Sequence, residues 1–128
     1  MKTILLIEDN PQNRYLVEFL LKQRGYNVLH AETGLQGLEL AAIARPDLIL
    51  LDIQLPGMDG YAVAHALKSD PQLNAIPIVA VTSYAMVGDR EKCLAAGAEG
   101  YIEKPIDPES FGDEVERFFP TTPGDVAP

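Results

Sequence analysis

Cysteine and tryptophan are scarce in this sequence, and long apolar runs are missing. The chain has one cysteine, Cys93, and no tryptophan. A single cysteine excludes an internal disulfide and fits a reducing compartment. No apolar run approaches the ~20 residues that span a bilayer, and the N-terminal MKTILLIEDN is too short and too acidic for a secretory signal. The sequence therefore predicts a cytoplasmic protein.

Basic residues are also few. The chain has 10 Lys and Arg against 19 Asp and Glu, which gives a formal net charge of −9. This charge argues against binding to nucleic acid or to an anionic membrane surface, both of which repel an acidic protein. It is compatible with a bound cation or with basic protein partners.

The length of 128 residues leaves room for one domain. We predict that this domain covers residues 1–119. The remaining residues, 120–128, are rich in proline and lack a core pattern, so they predict a disordered tail.

Short apolar runs alternate with longer amphipathic segments along the chain. The runs predict strands at residues 2–7, 27–31, 48–52, 78–82 and 100–102. The segments predict helices from Asn10-Pro11 to Gly25, from Thr33 to Pro46, at 61–68 and 84–96, and from Asp107-Pro108 to Phe119. In the second helix we expect Leu35, Leu38 and Ala42 to share one face.

Five strands that alternate with five helices predict an α/β fold. Near-continuous apolar strands are typical of a parallel sheet that is buried on both faces. We expect a doubly wound five-stranded sheet of the flavodoxin-like type, (βα)5, with strand order 2-1-3-4-5. In such sheets the ligand crevice lies beyond the carboxyl ends of the strands.

Polar residues follow the ends of four predicted strands. Glu8 and Asp9 follow the first, Asp52 ends the third, Thr82 ends the fourth, and Lys104 lies just beyond the fifth. Carboxylates that converge repel one another, and a hard cation such as Mg2+ relieves that repulsion. A lysine and a hydroxyl would then suit a tetrahedral anion, and a carboxylate can itself accept a phosphoryl group.

With these residues in place, the sequence resembles a response-regulator receiver domain of two-component signalling, over about residues 2–119. The motifs that carry the resemblance are the acidic pair in IEDN, the turn LLDIQLPGMDG, the hydroxyl in VAVTSY, and the Lys-Pro in GYIEKP. Together and in this order they are highly specific, although each alone is weak.

The resemblance implies that Asp52 is phosphorylated from a phosphohistidine on a sensor histidine kinase or a histidine phosphotransfer protein. It implies a Mg2+ site, which Mn2+ can also fill. Its ligands would be Asp9, Asp52 and the backbone carbonyl of Gln54, with Glu8 acting mostly through water. Thr82 and Lys104 would contact the phosphoryl oxygens.

The resemblance also implies a switch that partner proteins read. Tyr101 would turn inward when Thr82 moves, and the peptide bond between Lys104 and Pro105 would be cis. Phosphorylation would then shift the face formed by the fourth helix, fifth strand and fifth helix. That face would bind an output protein, such as another kinase, or a second copy of the chain. Gln54 and Tyr84 occupy positions that tune the phosphoryl lifetime in this family.

Each residue also has a simpler interpretation. Asp52 alone could be a solvated strand end, Glu8 and Asp9 could cap the first helix, and Thr82 could be a β-former packed in the sheet. Gly57 and Gly60 are typical turn residues without chemistry. His30 and His65 have no partner pattern in the sequence, which favours structural or surface roles. Cys93 is interpreted as a small packed residue.

Other functions fit the sequence less well. A phosphatase that works through an aspartyl phosphate has a second acid two residues after its nucleophile, and Gln54 stands there. A dinucleotide site needs glycines after the first strand, and EDNPQN has none. A relay shuttle and a phosphorylation-independent binding module remain open. We expect a stand-alone, single-domain response regulator, a phospho-accepting signalling protein that assists its own phosphorylation and dephosphorylation, rather than an enzyme.

Overall fold

The computed structural model describes residues 2–55, 57–83 and 89–119. Tyr84 and the predicted tail at 120–128 lie outside these ranges. The described residues form the strands β1 (Thr3–Ile7), β2 (Asn27–Ala31), β3 (Leu48–Asp52), β4 (Ile78–Thr82) and β5 (Gly100–Glu103). They form the helices α1 (Pro11–Gln23), α2 (Gly34–Ala44), α3 (Gly60–Ser69), α4 (Asp89–Ala95) and α5 (Phe111–Glu116).

The strands form one parallel sheet in the order β2-β1-β3-β4-β5. This order confirms the predicted doubly wound fold. In its register Ile7 pairs with Leu51, Asp52 with Val81, and Thr82 with Glu103. The carboxyl ends of β1, β3, β4 and β5 therefore meet at one edge of the sheet, where the polar residues are predicted to converge.

Side-chain caps at three helices fix where the chain turns from strand to helix. The Asn10 carboxamide oxygen accepts from the backbone N–H groups of Gln12 and Asn13, with proline in the first turn of α1. Thr33 and Asp59 cap α2 and α3 in the same way. These local bonds satisfy N–H groups that the first turn of a helix leaves without a partner.

Two apolar cores cover the two faces of the sheet. One core includes Leu51, Val63 and Leu67 and lies under α2, α3 and α4. The other includes Leu50, Val17 and Phe111 and lies under α1 and α5. Every residue of β3 and of β4 is buried. Such strands are the expected result of covering a parallel sheet on both sides.

The buried face of α2 differs from the prediction. Its buried residues are Gly34, Gly37 and Ala41, whereas Leu35 is 63% exposed. The reason is close packing on β1, because a Cβ at Gly37 would lie 2.8 Å from Cγ1 of Ile7. A helix that approaches a sheet so closely buries its small residues.

The last helix also begins later than predicted. A turn occupies residues 107–110, and α5 begins at Phe111. The Asp107 carboxylate accepts from the backbone N–H of Glu109, and its carbonyl oxygen accepts from that of Phe111. Asp107 thus stabilises a turn, because its side chain bonds a nearby backbone N–H group and so competes with regular helix. Among the described residues, no helix is long and apolar enough to cross a membrane.

Candidate functional site

Three carboxylates converge at the carboxyl edge of the sheet. Asp52 ends β3 and is 4% exposed, while Glu8 follows β1 and is 3% exposed. Asp9 is exposed at the mouth of the crevice. One carboxylate oxygen from each of the three lies within 4.8 Å of the others. The structure therefore brings together the acids that the sequence predicted as metal ligands.

Lys104 lies among these acids. Its Nζ is 3.0 Å from Oε1 of Glu8 and 3.5 Å from Oδ2 of Asp52. The Lys104 side chain is 13% exposed, so both ion pairs lie largely out of water. A buried carboxylate is costly without such a partner, which explains how an apolar strand can end in an acid. The peptide bond between Lys104 and Pro105 is cis.

The turn after β3 holds Asp52 from the other side. The backbone N–H of Gln54 donates to Oδ1 of Asp52 at 3.0 Å. The turn then returns to Gly60, whose N–H donates to the carbonyl oxygen of Ile53 at 3.0 Å. A Cβ at Gly60 would lie 2.7 Å from the carbonyl oxygen of Asp52. Glycine is therefore required at position 60 for the turn to close against the strand that ends in Asp52.

Thr82 and Tyr101 occupy different environments. Thr82 is 1% exposed at the end of β4, and its carbonyl oxygen accepts from the backbone N–H of Lys104 at 2.9 Å. This bond fixes the start of the loop that carries Lys104. Tyr101 is half-buried on β5, packs against the core under α3 and α4, and lines a surface groove with Arg90 and Leu94.

The environment of Glu8 is unfavourable to its charge. Burial first, and then the neighbouring Asp52, raise the pKa of Glu8 to about 7, although Lys104 acts in the opposite direction. Oε2 of Glu8 is buried and has no hydrogen-bond partner among the described residues. An orphaned carboxylate oxygen beside two more carboxylates fits a hard divalent cation such as Mg2+, which prefers oxygen ligands and keeps some of its waters.

Two contacts at this site were not predicted. The Ser83 hydroxyl donates to Oε1 of Gln54 at 2.6 Å. The ring of His30, for which the sequence suggested a structural or surface role, has Nε2 2.8 Å from the carbonyl oxygen of Glu8. Both contacts join residues more than 20 positions apart, so no local pattern in the sequence indicates them.

Comparisons with known proteins agree with this geometry. The family model described as Response regulator receiver domain matches residues 4–116. The polar-differentiation response regulator DivK of Brucella anthropi is 42% identical over 117 residues, which cover 91% of this chain and 95% of that protein.

Solved structures give the same result. The receiver domain of a sensor histidine kinase from Pseudomonas aeruginosa is 37% identical, with a TM-score of 0.84 and coverage of 91% of this chain and 96% of that one. Its crystal structure has a magnesium ion coordinated in the active-site cleft. The chemotaxis protein CheY4 of Vibrio cholerae has a TM-score of 0.88 at 29% identity, and the alignment covers 93% of this chain and 99% of that one.

Proposed function

Since the chain belongs to the response-regulator receiver family of two-component signalling, we propose that Asp52 accepts a phosphoryl group from a phosphohistidine. The donor would be a sensor histidine kinase or a histidine phosphotransfer protein in the cytoplasm. The observation that carries this proposal is the position of Asp52, a buried carboxylate with the Lys104 ammonium 3.5 Å away. A solvated acid at a strand end would need neither burial nor a cationic partner.

The proposed cofactor is Mg2+, for which Mn2+ can substitute. Asp9, Asp52 and the backbone carbonyl of Gln54 would hold it, with Glu8 acting through water. The three neighbouring carboxylates and the orphaned Oε2 of Glu8 support this set. When bound, the cation would offset the negative charge that builds up as a phosphate approaches a carboxylate.

In the proposed transfer, an oxygen of Asp52 attacks the phosphorus of the donor. The new O–P bond forms as the N–P bond of the phosphohistidine breaks, and the imidazole leaves with the bonding electron pair. The Lys104 ammonium stabilises the charge on the equatorial phosphoryl oxygens. The Thr82 hydroxyl donates to another of these oxygens.

The proposed output is a change in the face formed by α4, β5 and α5. Thr82 would move toward the phosphoryl group and Tyr101 would turn inward, so that phosphorylation biases a two-state equilibrium. The backbone bond between Thr82 and Lys104 supports this coupling, because it joins β4 to the segment after β5. The altered face would bind an output protein, such as another kinase, or a second copy of the chain.

The test is phosphorylation by a small donor. The chain would be incubated with acetyl phosphate or phosphoramidate, with and without Mg2+, and its intact mass followed. We expect one hydroxylamine-labile phosphoryl adduct that requires Mg2+ and is absent from Asp52→Asn. The matched control is Asp47→Asn, because Asp47 is an exposed aspartate at the opposite end of β3.

Each other outcome has a distinct meaning. An adduct that persists in Asp52→Asn would overturn the assignment of Asp52. No adduct on the wild-type chain, from small donors or from a histidine phosphotransfer protein, would overturn phosphoryl acceptance and favour a binding module. Turnover of the donor through a short-lived adduct would instead favour a phosphohydrolase.

A further inference from the structure

His30 contacts the site from the edge strand of the sheet. It lies on β2, and Nε2 of its ring is 2.8 Å from the carbonyl oxygen of Glu8. On the other side of the ring, Nδ1 is 3.3 Å from Nη1 of Arg14, on α1. The ring therefore joins α1 to the residue that follows β1.

The partners of the ring determine which nitrogen carries the proton. A guanidinium only donates, so Nδ1 of His30 accepts from Arg14. Nε2 then carries the proton and donates to the carbonyl oxygen of Glu8. Arg14 also lies next to Glu32, whose Oε1 is 3.7 Å from Nη1. These contacts run in series from Glu32 through Arg14 and His30 to the backbone of Glu8.

The hydrogen bond from His30 completes the anchoring of the Glu8 backbone. Its backbone N–H donates to the carbonyl oxygen of Ala31 at 3.0 Å, and its own carbonyl accepts from His30. Both polar groups of the Glu8 backbone are thus held by β2. Asp9 is the next residue, lies beyond the strand and is exposed, so its position depends on this anchor.

We propose that His30 is a positioning residue for the metal site, whose side chain holds the Glu8–Asp9 backbone where the two carboxylates can share a divalent cation with Asp52. This inference rests on the proposed function, because it presumes that the site binds Mg2+. The β1–β2 register extends from Thr3 to Ile7 independently of the imidazole. Loss of the ring would therefore free the carbonyl oxygen of Glu8 without unpairing β2.

The test measures Mg2+ affinity directly. Isothermal titration of the whole chain with MgCl2 would compare the wild type with His30→Ala, and the melting temperature without Mg2+ would be recorded for each. Groups that orient metal ligands typically change metal affinity by about 10- to 100-fold. We expect about a 10-fold loss in His30→Ala, the lower end of that range, because His30 acts through the backbone rather than on a ligand oxygen.

Three further variants separate positioning from packing. His30→Gln retains a donor and should recover most of the affinity, whereas His65→Ala, at an exposed histidine on α3, should leave the affinity unchanged. Arg14→Met removes the group that holds Nδ1 and should weaken binding. Electrostatics alone would predict tighter Mg2+ binding by this variant, because a positive charge is removed near a cation site. Arg14→Met also serves as the test if His30→Ala does not fold.

The outcomes are distinguishable. Unchanged Mg2+ affinity in both His30→Ala and Arg14→Met, with binding by the wild type, would overturn the inference and leave the proposed function standing. An equal loss in His30→Ala and His30→Gln, with matching losses of melting temperature, would show a packing role and overturn it as well. Absence of Mg2+ binding by the wild type would overturn the proposed metal site, and this inference with it.

Discussion

The Ser83 hydroxyl donates a 2.6 Å hydrogen bond to Oε1 of Gln54 in the crevice that contains Asp52. This bond ties the loop after β4 to the turn after β3. It also engages the oxygen of the Gln54 carboxamide, which is the atom that would accept a hydrogen bond from a water molecule and orient it.

We therefore expect Ser83→Ala to shorten the life of the proposed phosphoryl group. The freed carboxamide of Gln54 would orient an attacking water more often. A hydrogen bond with a net value of about 1 kcal/mol corresponds to roughly a fivefold change in rate. The decay of the adduct, followed by intact mass after removal of the donor, measures it.

The double variant tests whether Ser83 acts through Gln54. In a Gln54→Ala background, Ser83→Ala should have no further effect on the decay rate. An equal effect in both backgrounds would mean that Ser83 acts by opening the crevice rather than by holding Gln54.

A second prediction concerns pH. The pKa of Glu8 rises from 4.5 to about 7 in the folded chain, so the folded state binds a proton more tightly than the unfolded state. The contribution of this proton to the free energy of unfolding is complete below pH 4.5 and is lost as pH rises through about 7. At about 1.4 kcal/mol per pKa unit, the loss is at most ~3 kcal/mol.

The measurement is urea unfolding of the wild type and Glu8→Gln without Mg2+ from pH 4.5 to 8. Because glutamine stays neutral, Glu8→Gln should become more stable than the wild type as pH rises. A constant difference between the two proteins across that range would contradict the prediction.

A third prediction concerns Lys68, a half-buried lysine outside the carboxylate site. Nζ of Lys68 donates to the carbonyl oxygens of Asn74 and Ile76, both at 3.0 Å, and pairs with Glu99. Lys68→Met leaves these acceptors without their donor, so we expect a loss of about 2 kcal/mol in the free energy of unfolding.

Lys22→Met is the matched control for Lys68→Met. Its ion pair with Glu18 spans 3.8 Å, and its side chain is 60% exposed. Such pairs contribute little, so a change below about 0.5 kcal/mol is expected. Equal losses at the two lysines, by urea unfolding, would show that Lys68 is not the structural tie we describe.

A fourth prediction separates two glycines of the turn after β3. Gly60→Ala would press a methyl group against the backbone of Asp52 and Ile53, and should cost about 1–3 kcal/mol and weaken Mg2+ binding. Gly57 has a φ of +75°, and a Cβ added there would have nothing within 4 Å. Gly57→Ala should therefore lower the free energy of unfolding by about 1 kcal/mol without affecting Mg2+ binding. Unfolding and Mg2+ titration of both variants test this contrast.

The sequence predicted most of the fold because its signals are local. The bounds predicted for β2, β3 and β4 match the structure, and α1 and α2 begin directly after Asn10 and Thr33, where the sequence placed the helix starts. Short apolar runs and polar caps act within a few residues, so they can be recognised without knowing the partners.

The features that the sequence did not predict depend on contacts between distant parts of the chain. The buried face of α2 is made of glycine and alanine because α2 packs closely on Ile7, a distance that no pattern within the helix reveals. The convergence of Glu8, Asp52 and Lys104, by contrast, was predictable because these residues lie at or just beyond the ends of predicted strands. The contacts of His30 and Ser83 depend on side-chain positions across the sheet, so they required the structure.

The central place of β3 in the sheet has a consequence for motion. β3 pairs with β1 on one side and with β4 on the other, and all its residues are buried. Its amide hydrogens should exchange with solvent only when the whole domain opens, whereas those of β2, at the sheet edge, should exchange through local openings. Asp52 is thus expected to lie on one of the most slowly exchanging strands among the described residues, and a signal from the proposed phosphoryl group would have to pass through the movement of its neighbours.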